Sequence, residues 1–291
     1  MRMLITGGSG FVGKALCRHW ADHSVATLGR GDWADFQWDP ATGILDTAAL
    51  KEVDAVVHLA GEPLGPGRWS AAKKRRILDS RIKGTRLLCK AIQKQSNPPQ
   101  VLLCASGTGF YGNRGETEVE ESAVNGNGFL ADVCRQWEAA TGPAEAAGVR
   151  VIHMRFGIVL GSEGGALQAM RPVFRMGLGG RLGDGRQWMP WIGMVDLCRA
   201  LDLLLAEGTI SGPVNVVAGA VRNSEFTRAL GEVLGRPTWF PVPAGVLRLV
   251  LGEVADEMLL TSTRAMPGRL DTAGFERAQP DIGTALRAAL L

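Results

Sequence analysis

Lysine and tyrosine are scarce in this 291-residue sequence, and the scarcity depends on position. No lysine follows Lys94, and Tyr111 is the one tyrosine of the chain. A site that needs a lysine ammonium group must therefore draw it from the first third of the sequence, and a site that needs a phenol must use Tyr111.

Histidines, paired cysteines and net charge are also limited. The four histidines lack the spacing of metal ligands, so the sequence predicts no metal site. The cysteines are odd in number and form no C-x-x-C pair, which indicates small buried side chains in a reducing cytoplasm. The net charge of +3 is too small to indicate a nucleic-acid or membrane partner. The cysteines are Cys17, Cys89, Cys104, Cys134 and Cys198.

Long apolar runs are missing as well. No run is long enough to span a bilayer, and the first residues predict a strand rather than a signal peptide. We therefore expect a cytoplasmic protein with neither a membrane nor a nucleic-acid partner.

Glycine is abundant, and its clearest pattern lies at the N-terminus. The apolar residues 3–6 predict a buried strand, residues 14–20 predict a helix, and Gly7, Gly10 and Gly13 lie between them. In a dinucleotide site the first glycine allows the turn, the second lets a pyrophosphate approach the backbone, and the third lets helix and strand pack closely. The free N–H groups of the helix would face the phosphates. A purely structural turn is the alternative.

The end of the second predicted strand, residues 25–28, indicates which nucleotide is preferred. Gly29 and Arg30 follow it, at the place where an NAD site has an acidic residue on the ribose 2′-hydroxyl. A guanidinium suits a 2′-phosphate instead, so the sequence favours NADP(H). An exposed loop arginine is the alternative interpretation of Arg30.

A third strand over residues 54–62 ends in small residues that leave room for a cofactor. Leu59 and Ala60 would lie against that cofactor, and Glu62 follows at the sheet edge where open α/β sheets bind ligands. A loop carboxylate is the alternative role for Glu62. His58 lies inside the strand, so we expect a packed core histidine.

Later segments continue the alternation of strand and helix. A long helix is predicted over residues 70–94, and its basic run 73–76 is interpreted as a solvated face. A strand over residues 100–106 continues into the hydroxyl-bearing, glycine-rich residues 107–112. Further predicted elements are a helix over 128–147, a strand over 149–160, a helix to about 176, a helix over 197–205 with Asp196 as its N-cap, a strand over 213–217 and a helix over 224–234.

The predicted fold class is α/β, a Rossmann-type doubly wound parallel sheet with a smaller, mostly helical C-terminal region on the substrate side. We expect a dinucleotide-binding domain over residues 1–236 and a C-terminal domain over residues 239–290. Residues 161–192 combine glycines, arginines and tryptophans, which indicates a shaped loop that contributes to a substrate cap.

Several motifs together carry a family resemblance: residues 6–13 (TGGSGFVG), 58–61 (HLAG), 84–85 (GT), 106–112 (SGTGFYG) and 195–196 (VD). The chain resembles the extended short-chain dehydrogenase/reductase superfamily, in its NAD(P)-dependent epimerase/dehydratase group. One atypical branch, with some members labelled cell-division inhibitors, is similar in further motifs and in a short C-terminal domain like residues 241–291. Those further motifs are residues 59–62 (LAGE), 80–81 (SR), 137–138 (WE), 155–161 (RFGIVLG), 177–180 (GLGG) and 190–192 (PWI).

The resemblance also exposes a departure. The family uses a Tyr-x-x-x-Lys pair, in which tyrosine handles the proton and lysine lowers its pKa and holds the nicotinamide ribose. Counting back from Glu138, the expected positions hold Leu130 and Cys134. The usual acid/base pair is therefore lost.

A second departure concerns the cofactor. Three residues before Gly-Thr on the long helix, the superfamily commonly has asparagine, and this chain has Arg81. The resemblance implies cofactor contact for Arg81, and a helix-surface arginine is the alternative. The complete set of expected cofactor-binding residues is Gly7, Ser9, Gly10, Phe11, Val12, Gly13, Gly29, Arg30, Leu59, Ala60, Arg81 and Val159.

Three catalytic candidates remain at this sheet edge. Tyr111 has a phenol, Ser106 or Thr108 would orient a carbonyl, and Glu62 would act as acid/base if desolvation raised its pKa. The predicted function is an NADP(H)-binding oxidoreductase or epimerase of an unidentified small molecule. The alternative is a non-catalytic NADP(H) sensor or scaffold. We expect a monomer or a homodimer, and a pocket walled by Arg175, Trp188, Met189 and Trp191.

Overall fold

The computed structural model describes residues 1–65 and 67–291. Its strands fall into one large sheet and two small ones. The strands are β1 Arg2–Thr6, β2 Ser24–Gly29, β3 Phe36–Asp39, β4 Ile44–Leu45, β5 Ala55–His58, β6 Val101–Gly107, β7 Glu118–Val119, β8 Arg150–Phe156, β9 Ile158–Leu160, β10 Trp188–Gly193, β11 Gly212–Val216, β12 Gly219–Arg222 and β13 Arg264–Ala265.

Helices cover both faces of the large sheet and make up most of the C-terminal region. Two short 3-10 turns, Thr47–Leu50 and Thr108–Tyr111, and one π-helical turn, Ala255–Leu259, accompany the α-helices. The α-helices are α1 Phe11–His19, α2 Ala71–Gln93, α3 Phe129–Ala139, α4 Gly142–Ala146, α5 Gly165–Arg175, α6 Met194–Ala206, α7 Asn223–Leu234, α8 Ala244–Leu251, α9 Gly268–Thr272 and α10 Ile282–Leu290.

The large sheet has the strand order β11-β8-β6-β5-β1-β2-β3-β4. Its pairs are parallel except β3 with β4. The chain builds outward from β1 through β2 on one side and from β5 through β6 on the other, so the order reverses between β1 and β5. Ligands of doubly wound folds bind at such a reversal, beyond the carboxyl ends of the strands. The predicted Rossmann-type fold is confirmed.

Alternation along β1 divides the core between the two faces of the sheet. Met3 and Ile5 belong to one buried cluster, which includes residues of α1 and α6, whereas Leu4 belongs to another, which includes residues of α2, α3 and α4. Four of the cysteines are buried, Cys17 is half-buried, and all five are free, as small core side chains are. None of the described helices combines the length and the apolar content that a bilayer crossing requires.

A second, three-stranded sheet of order β12-β10-β9 was not predicted. The predicted strand over residues 149–160 is two strands, because Gly157 separates β8 in the large sheet from β9, which pairs with β10. β10 lies in the segment that the sequence predicts as a loop, and its antiparallel partner β12 follows β11. The predicted cap segment therefore supplies a strand as well as loops.

The C-terminal region is attached to the rest of the chain by helix packing and by one buried carboxylate. Phe226 and Leu230 of α7 share a cluster with Leu286 of α10. Asp196 is fully buried, and its carboxylate accepts hydrogen bonds from the backbone N–H groups of residues 278 and 279 at 2.8 and 2.9 Å. The prediction that Asp196 caps α6 is wrong, because the helix begins two residues earlier and the carboxylate points to the C-terminal segment instead.

Candidate functional site

The glycine turn after β1 has the geometry that the sequence predicts. Gly7 has φ +74°, a conformation that side chains rarely adopt, and its carbonyl accepts a hydrogen bond from Gly10 N at 2.9 Å. A Cβ atom on Gly13 would lie 2.2 Å from the Gly7 carbonyl oxygen, so α1 approaches the turn as closely as glycine permits. A Cβ on Gly10 would meet only that oxygen within 4 Å, at 3.2 Å. The surface above Gly10 is therefore open to a ligand.

A buried polar chain holds the two central strands together beneath this turn. His58 lies between Thr6 and Thr85, with its Nδ1 2.6 Å from Thr6 Oγ1 and its Nε2 2.9 Å from Thr85 Oγ1. Trp137 donates its indole N–H to the same Thr85 hydroxyl at 2.9 Å. Burial lowers the pKa of His58 to about 4, so the ring is neutral at pH 7. The expectation of a packed core histidine is confirmed.

A cavity of about 800 Å³ opens at the carboxyl ends of β1, β5 and β6. Its walls include eight of the twelve expected cofactor residues, whereas Ser9, Gly29, Arg30 and Ala60 lie outside its lining. Arg30 is exposed immediately after β2. The expected cofactor residues in the lining are Gly7, Gly10, Phe11, Val12, Gly13, Leu59 and Val159, together with the separately argued Arg81.

Arg81 lies in the cavity wall and has no anionic partner among the described residues. Its Nη1 donates to the carbonyls of Glu62 and Ile77 at 3.0 and 3.2 Å, and the guanidinium lies 4.8 Å from the ring centre of Trp137. Within the described part of the chain it forms no salt bridge, and its Nε and Nη2 donate no hydrogen bond. Burial lowers the pKa of Arg81, and the side chain is still charged at pH 7. An unpaired, largely desolvated cation of this kind calls for a ligand that accepts hydrogen bonds.

Ser106 lines the same cavity and is tied to a buried ion pair. Its hydroxyl donates to Glu138 Oε1 at 2.7 Å, and Arg155 donates to both oxygens of that carboxylate at 2.8 Å. Glu138 is therefore oriented from one side by a bidentate guanidinium and from the other by Ser106. Thr108 also lines the cavity, and its hydroxyl donates to the Phe156 carbonyl at 3.3 Å.

Tyr111 is in the core and not in the cavity wall. The side chain is fully buried, its hydroxyl donates to Asn215 Oδ1 at 2.7 Å, and it accepts a hydrogen bond from Arg155 at 3.0 Å. Burial raises the pKa of Tyr111, although the charge and the hydrogen bond of Arg155 oppose the rise. Contrary to expectation, Tyr111 does not line the cavity, because its phenol is buried and bound by Asn215 and Arg155.

Glu62 is also outside the cavity lining, and its charge is compensated. Lys73 donates to Glu62 Oε1 at 2.9 Å, and Arg76 lies 3.4 Å from the same oxygen. The hydrogen bond from Lys73 is the main cause that lowers the pKa of Glu62, opposite to the rise that an acid/base role requires. The basic run of α2 is thus not a simple solvated face, because Lys73 binds Glu62 and Lys74 binds Glu253.

The far end of the cavity comes from the C-terminal region, which sequence reasoning did not place there residue by residue. Arg248 on α8 pairs with Asp256 at 2.9 Å. Glu257 accepts hydrogen bonds from the backbone N–H groups of Phe129 and Leu130, both at 2.9 Å, and so caps α3, whose own N-cap residue offers no side chain. The capping residue is distant in sequence from its helix, so no local motif could have identified it.

Two of the four predicted pocket walls are correct. Trp188 and Met189 line the cavity. Trp191 belongs to a buried core cluster with Phe226, and Arg175 is exposed at the end of α5, so neither lines the cavity.

Comparison with known proteins gives two family matches along the chain. Residues 3–217 match the NAD dependent epimerase/dehydratase family, and residues 242–289 match a domain of unknown function, DUF1731. Epimerase family protein Mb2239 of Mycobacterium bovis is 43% identical over 288 residues, which cover 97% of this chain and 95% of that protein. Epimerase family protein YfhF of Bacillus subtilis is 35% identical over 299 residues, covering 98% of this chain and 97% of that protein.

Two solved structures match the whole length of this chain. The crystal structure of human epimerase family protein SDR39U1 (isoform 2), determined with NADPH, has a TM-score of 0.91 and 33% identity, and the similarity covers 100% of both chains. A nucleoside-diphosphate sugar epimerase from Corynebacterium glutamicum has a TM-score of 0.81 and 32% identity, covering 100% of this chain and 58% of that chain.

Proposed function

The chain belongs to the NAD dependent epimerase/dehydratase family, and we propose that it is an NADP(H)-binding oxidoreductase or epimerase of a small molecule. The observation that carries the proposal is Arg81, an unpaired guanidinium in the wall of the cavity that also exposes the glycine turn. The NADPH in the human relative's structure supports the same nucleotide.

The residues at the glycine turn fit the proposed nucleotide. Gly10 leaves the space that a pyrophosphate needs, and the first N–H groups of α1 are free of side-chain caps. Arg30, exposed at the end of β2, would donate to the 2′-phosphate. Leu59 and Val159 supply apolar surface on either side of the turn.

Arg81 would replace the missing lysine of the family. Cys134 occupies the position expected for that lysine, lines the cavity and lies within the electrostatic reach of Arg81. Burial raises the pKa of the Cys134 thiol to about 11, so the thiol is neutral and supplies no charge. The free Nε and Nη2 donors of Arg81 would hold the hydroxyls of the nicotinamide ribose in place of an ammonium group.

Ser106 would carry the proton. When bound, the nicotinamide supplies or accepts the hydride, and the substrate oxygen must lose or gain a proton. In oxidation of an alcohol, the substrate proton would pass to Ser106 Oγ while the serine proton passes to Glu138 Oε1, and reduction would run in reverse. The two hydrogen bonds from Arg155 hold the Glu138 carboxylate in place to accept the serine proton.

A non-catalytic sensor or scaffold is the second candidate, and the burial of Tyr111 favours it. The one phenol of the chain is saturated by Asn215 and Arg155, so the superfamily's strongest acid/base is not available to a ligand in the cavity. A sensor needs only the nucleotide-binding end, whereas an enzyme also needs a substrate end.

A titration of NADPH by fluorescence tests the nucleotide site. We expect Arg81→Met to weaken NADPH binding about 10- to 100-fold, because the variant loses a charge-assisted hydrogen bond to the nucleotide. Arg86→Met, an exposed arginine on the same helix, is the matched control and should bind as wild type does. Equal affinity of Arg81→Met and wild type would contradict the proposed site.

NADPH oxidation with a panel of aldehydes and ketones separates the two candidates. Turnover by wild type that is lost in Ser106→Ala, with NADPH binding retained, supports the enzyme. Tight NADPH binding without turnover of any carbonyl compound would favour the sensor.

A further inference from the structure

Three guanidinium groups at or beside the substrate end of the cavity are paired with carboxylates. This end is the part of the wall formed by Leu130, residues 188–190 and residues 248–263. Arg248 lies 2.9 Å from Asp256. The guanidinium groups of Arg222 and Arg264, 4.6 and 4.4 Å from the ring centre of Trp188, are bound to Glu116 and Glu118 at 2.7 and 2.8 Å. Arg81, at the cofactor end, has no such partner in the part of the chain that the structure describes.

The charged side chains that line the substrate end carry an excess of negative charge. Among the described lining residues there are one guanidinium, Arg248, and two carboxylates, Asp256 and Glu257. Glu257 is fixed at the N-terminus of α3 by two backbone hydrogen bonds, so it cannot turn away from an incoming anion without uncapping the helix. A diphosphate or carboxylate at this end would meet like charge rather than a free guanidinium.

The remaining lining of the substrate end is mainly apolar. Leu130 stands where the family has its tyrosine, and Met258 and Leu260 face the cavity from the C-terminal region. Met189 and Pro190 supply the wall from β10. A ligand with an apolar body would bury these side chains without leaving a charge unpaired.

We propose that the substrate end accepts an uncharged carbonyl compound, or the corresponding alcohol, with an apolar body, and that it disfavours anionic substrates such as nucleoside-diphosphate sugars. This inference rests on the proposed NADP(H)-dependent function. It departs from the substrate named for the Corynebacterium glutamicum relative. At this end of the cavity the described lining carries a net negative charge, and its one guanidinium, Arg248, is paired with Asp256, which selects against a diphosphate.

Two aldehydes that differ mainly in charge test the proposal. We expect kcat/KM with NADPH to be at least about tenfold higher for 4-methylbenzaldehyde than for 4-carboxybenzaldehyde, because one like-charge contact of about 1.4 kcal/mol corresponds to that ratio. UDP-glucose should neither be converted nor compete with the aldehyde. An equal or reversed ratio, or competitive inhibition by UDP-glucose, would overturn the proposal.

A charge-removing variant connects the preference to this end of the cavity. Asp256→Asn removes one carboxylate and frees Arg248, so the ratio should fall about tenfold, mainly through better use of 4-carboxybenzaldehyde. Asp22→Asn, an exposed residue of the turn after α1, is the control and should keep the wild-type ratio. An unchanged ratio in Asp256→Asn would refute the role of this segment.

Binding measurements keep the proposal separate from the function on which it rests. Failure of wild type to bind NADPH would refute the proposed function itself. If NADPH binds but neither aldehyde reacts, calorimetry of the NADPH complex with 4-methylbenzamide and 4-carboxybenzamide decides. Preference for the neutral amide supports an uncharged ligand, whereas no binding or no preference overturns it.

Discussion

The two ends of the cavity are built by different means. At the cofactor end, backbone geometry dominates, because three glycines within the first thirteen residues shape the turn. The guanidinium of Arg81, unpaired among the described residues, lies in the wall there. At the substrate end, side chains from a segment more than 240 residues along the chain close the cavity, and each cation there is paired. The nucleotide-binding end is therefore specified locally, whereas the substrate end is specified by tertiary structure.

The largest effect on nucleotide binding should follow from filling the glycine turn. In Gly13→Ala the new Cβ atom would lie 2.2 Å from the Gly7 carbonyl oxygen, so α1 must move away from the turn. We expect NADPH binding to fall by about 100-fold or more, a loss of roughly 2.7 kcal/mol. Fluorescence titration of NADPH measures this loss. Gly208→Ala, where a Cβ meets nothing within 4 Å, should bind normally. Normal binding by Gly13→Ala would show that the turn does not shape the site.

Removal of the Ser106 hydroxyl should slow the reaction at the boundary between the two ends. We expect Ser106→Ala to lower kcat about 100-fold, the lower range for loss of a proton-transfer group. The KM for NADPH should stay within about twofold, because Ser106 is proposed to act on the substrate proton. Ser106→Thr, which keeps a hydroxyl, should recover part of the rate. A fall in NADPH affinity with unchanged kcat would assign Ser106 to the cofactor instead.

Acid should weaken the cofactor end through His58. Because burial lowers the pKa of His58 from 6.5 to about 4, protonation favours the unfolded chain. Its contribution to the free energy of unfolding is present above pH 6.5 and is lost as pH falls to about 4, by about 3 kcal/mol. Urea unfolding from pH 7 to pH 4 measures this loss. The variant His58→Gln should show a shallower decline than wild type, and equal slopes would contradict the assignment.

The smallest effect concerns the choice between the two nucleotides. Arg30 is exposed, so its bond to a 2′-phosphate is weakened by solvent. We expect Arg30→Asp to reduce NADPH affinity about tenfold and to leave NADH affinity within about twofold. Parallel titrations with the two nucleotides measure the difference. Equal losses for both would indicate that Arg30 does not contact the 2′-phosphate.

The sequence predicted the parts of the fold that depend on neighbouring residues. The turn from β1 to α1, the long helix α2 and the parallel order of the sheet all follow from local patterns. His58 was correctly predicted as a core residue because it lies inside an apolar strand.

The failures concern contacts between distant segments. Tyr111 follows the end of a strand, as the other catalytic candidates do. Only the tertiary structure shows that Asn215 and Arg155 bind its phenol. Glu62 lies at the expected edge, yet Lys73 lowers its pKa from a neighbouring helix. The strand β10 follows a glycine-rich segment, and its own residues form no alternating pattern long enough to predict a strand.

Asp196 and Glu257 each bind backbone groups of the other family unit, and this has a consequence for the assembly of the chain. Asp196 belongs to the first family match and receives backbone N–H groups of the second, whereas Glu257 belongs to the second and receives those of the first. Each unit thus completes the hydrogen bonding of the other. If the two units were separated, backbone N–H groups that bind a carboxylate in the intact chain would be left without that partner in each of them. We therefore expect the two units to melt in a single cooperative transition, and loosening of the C-terminal unit to reach the nucleotide through α3.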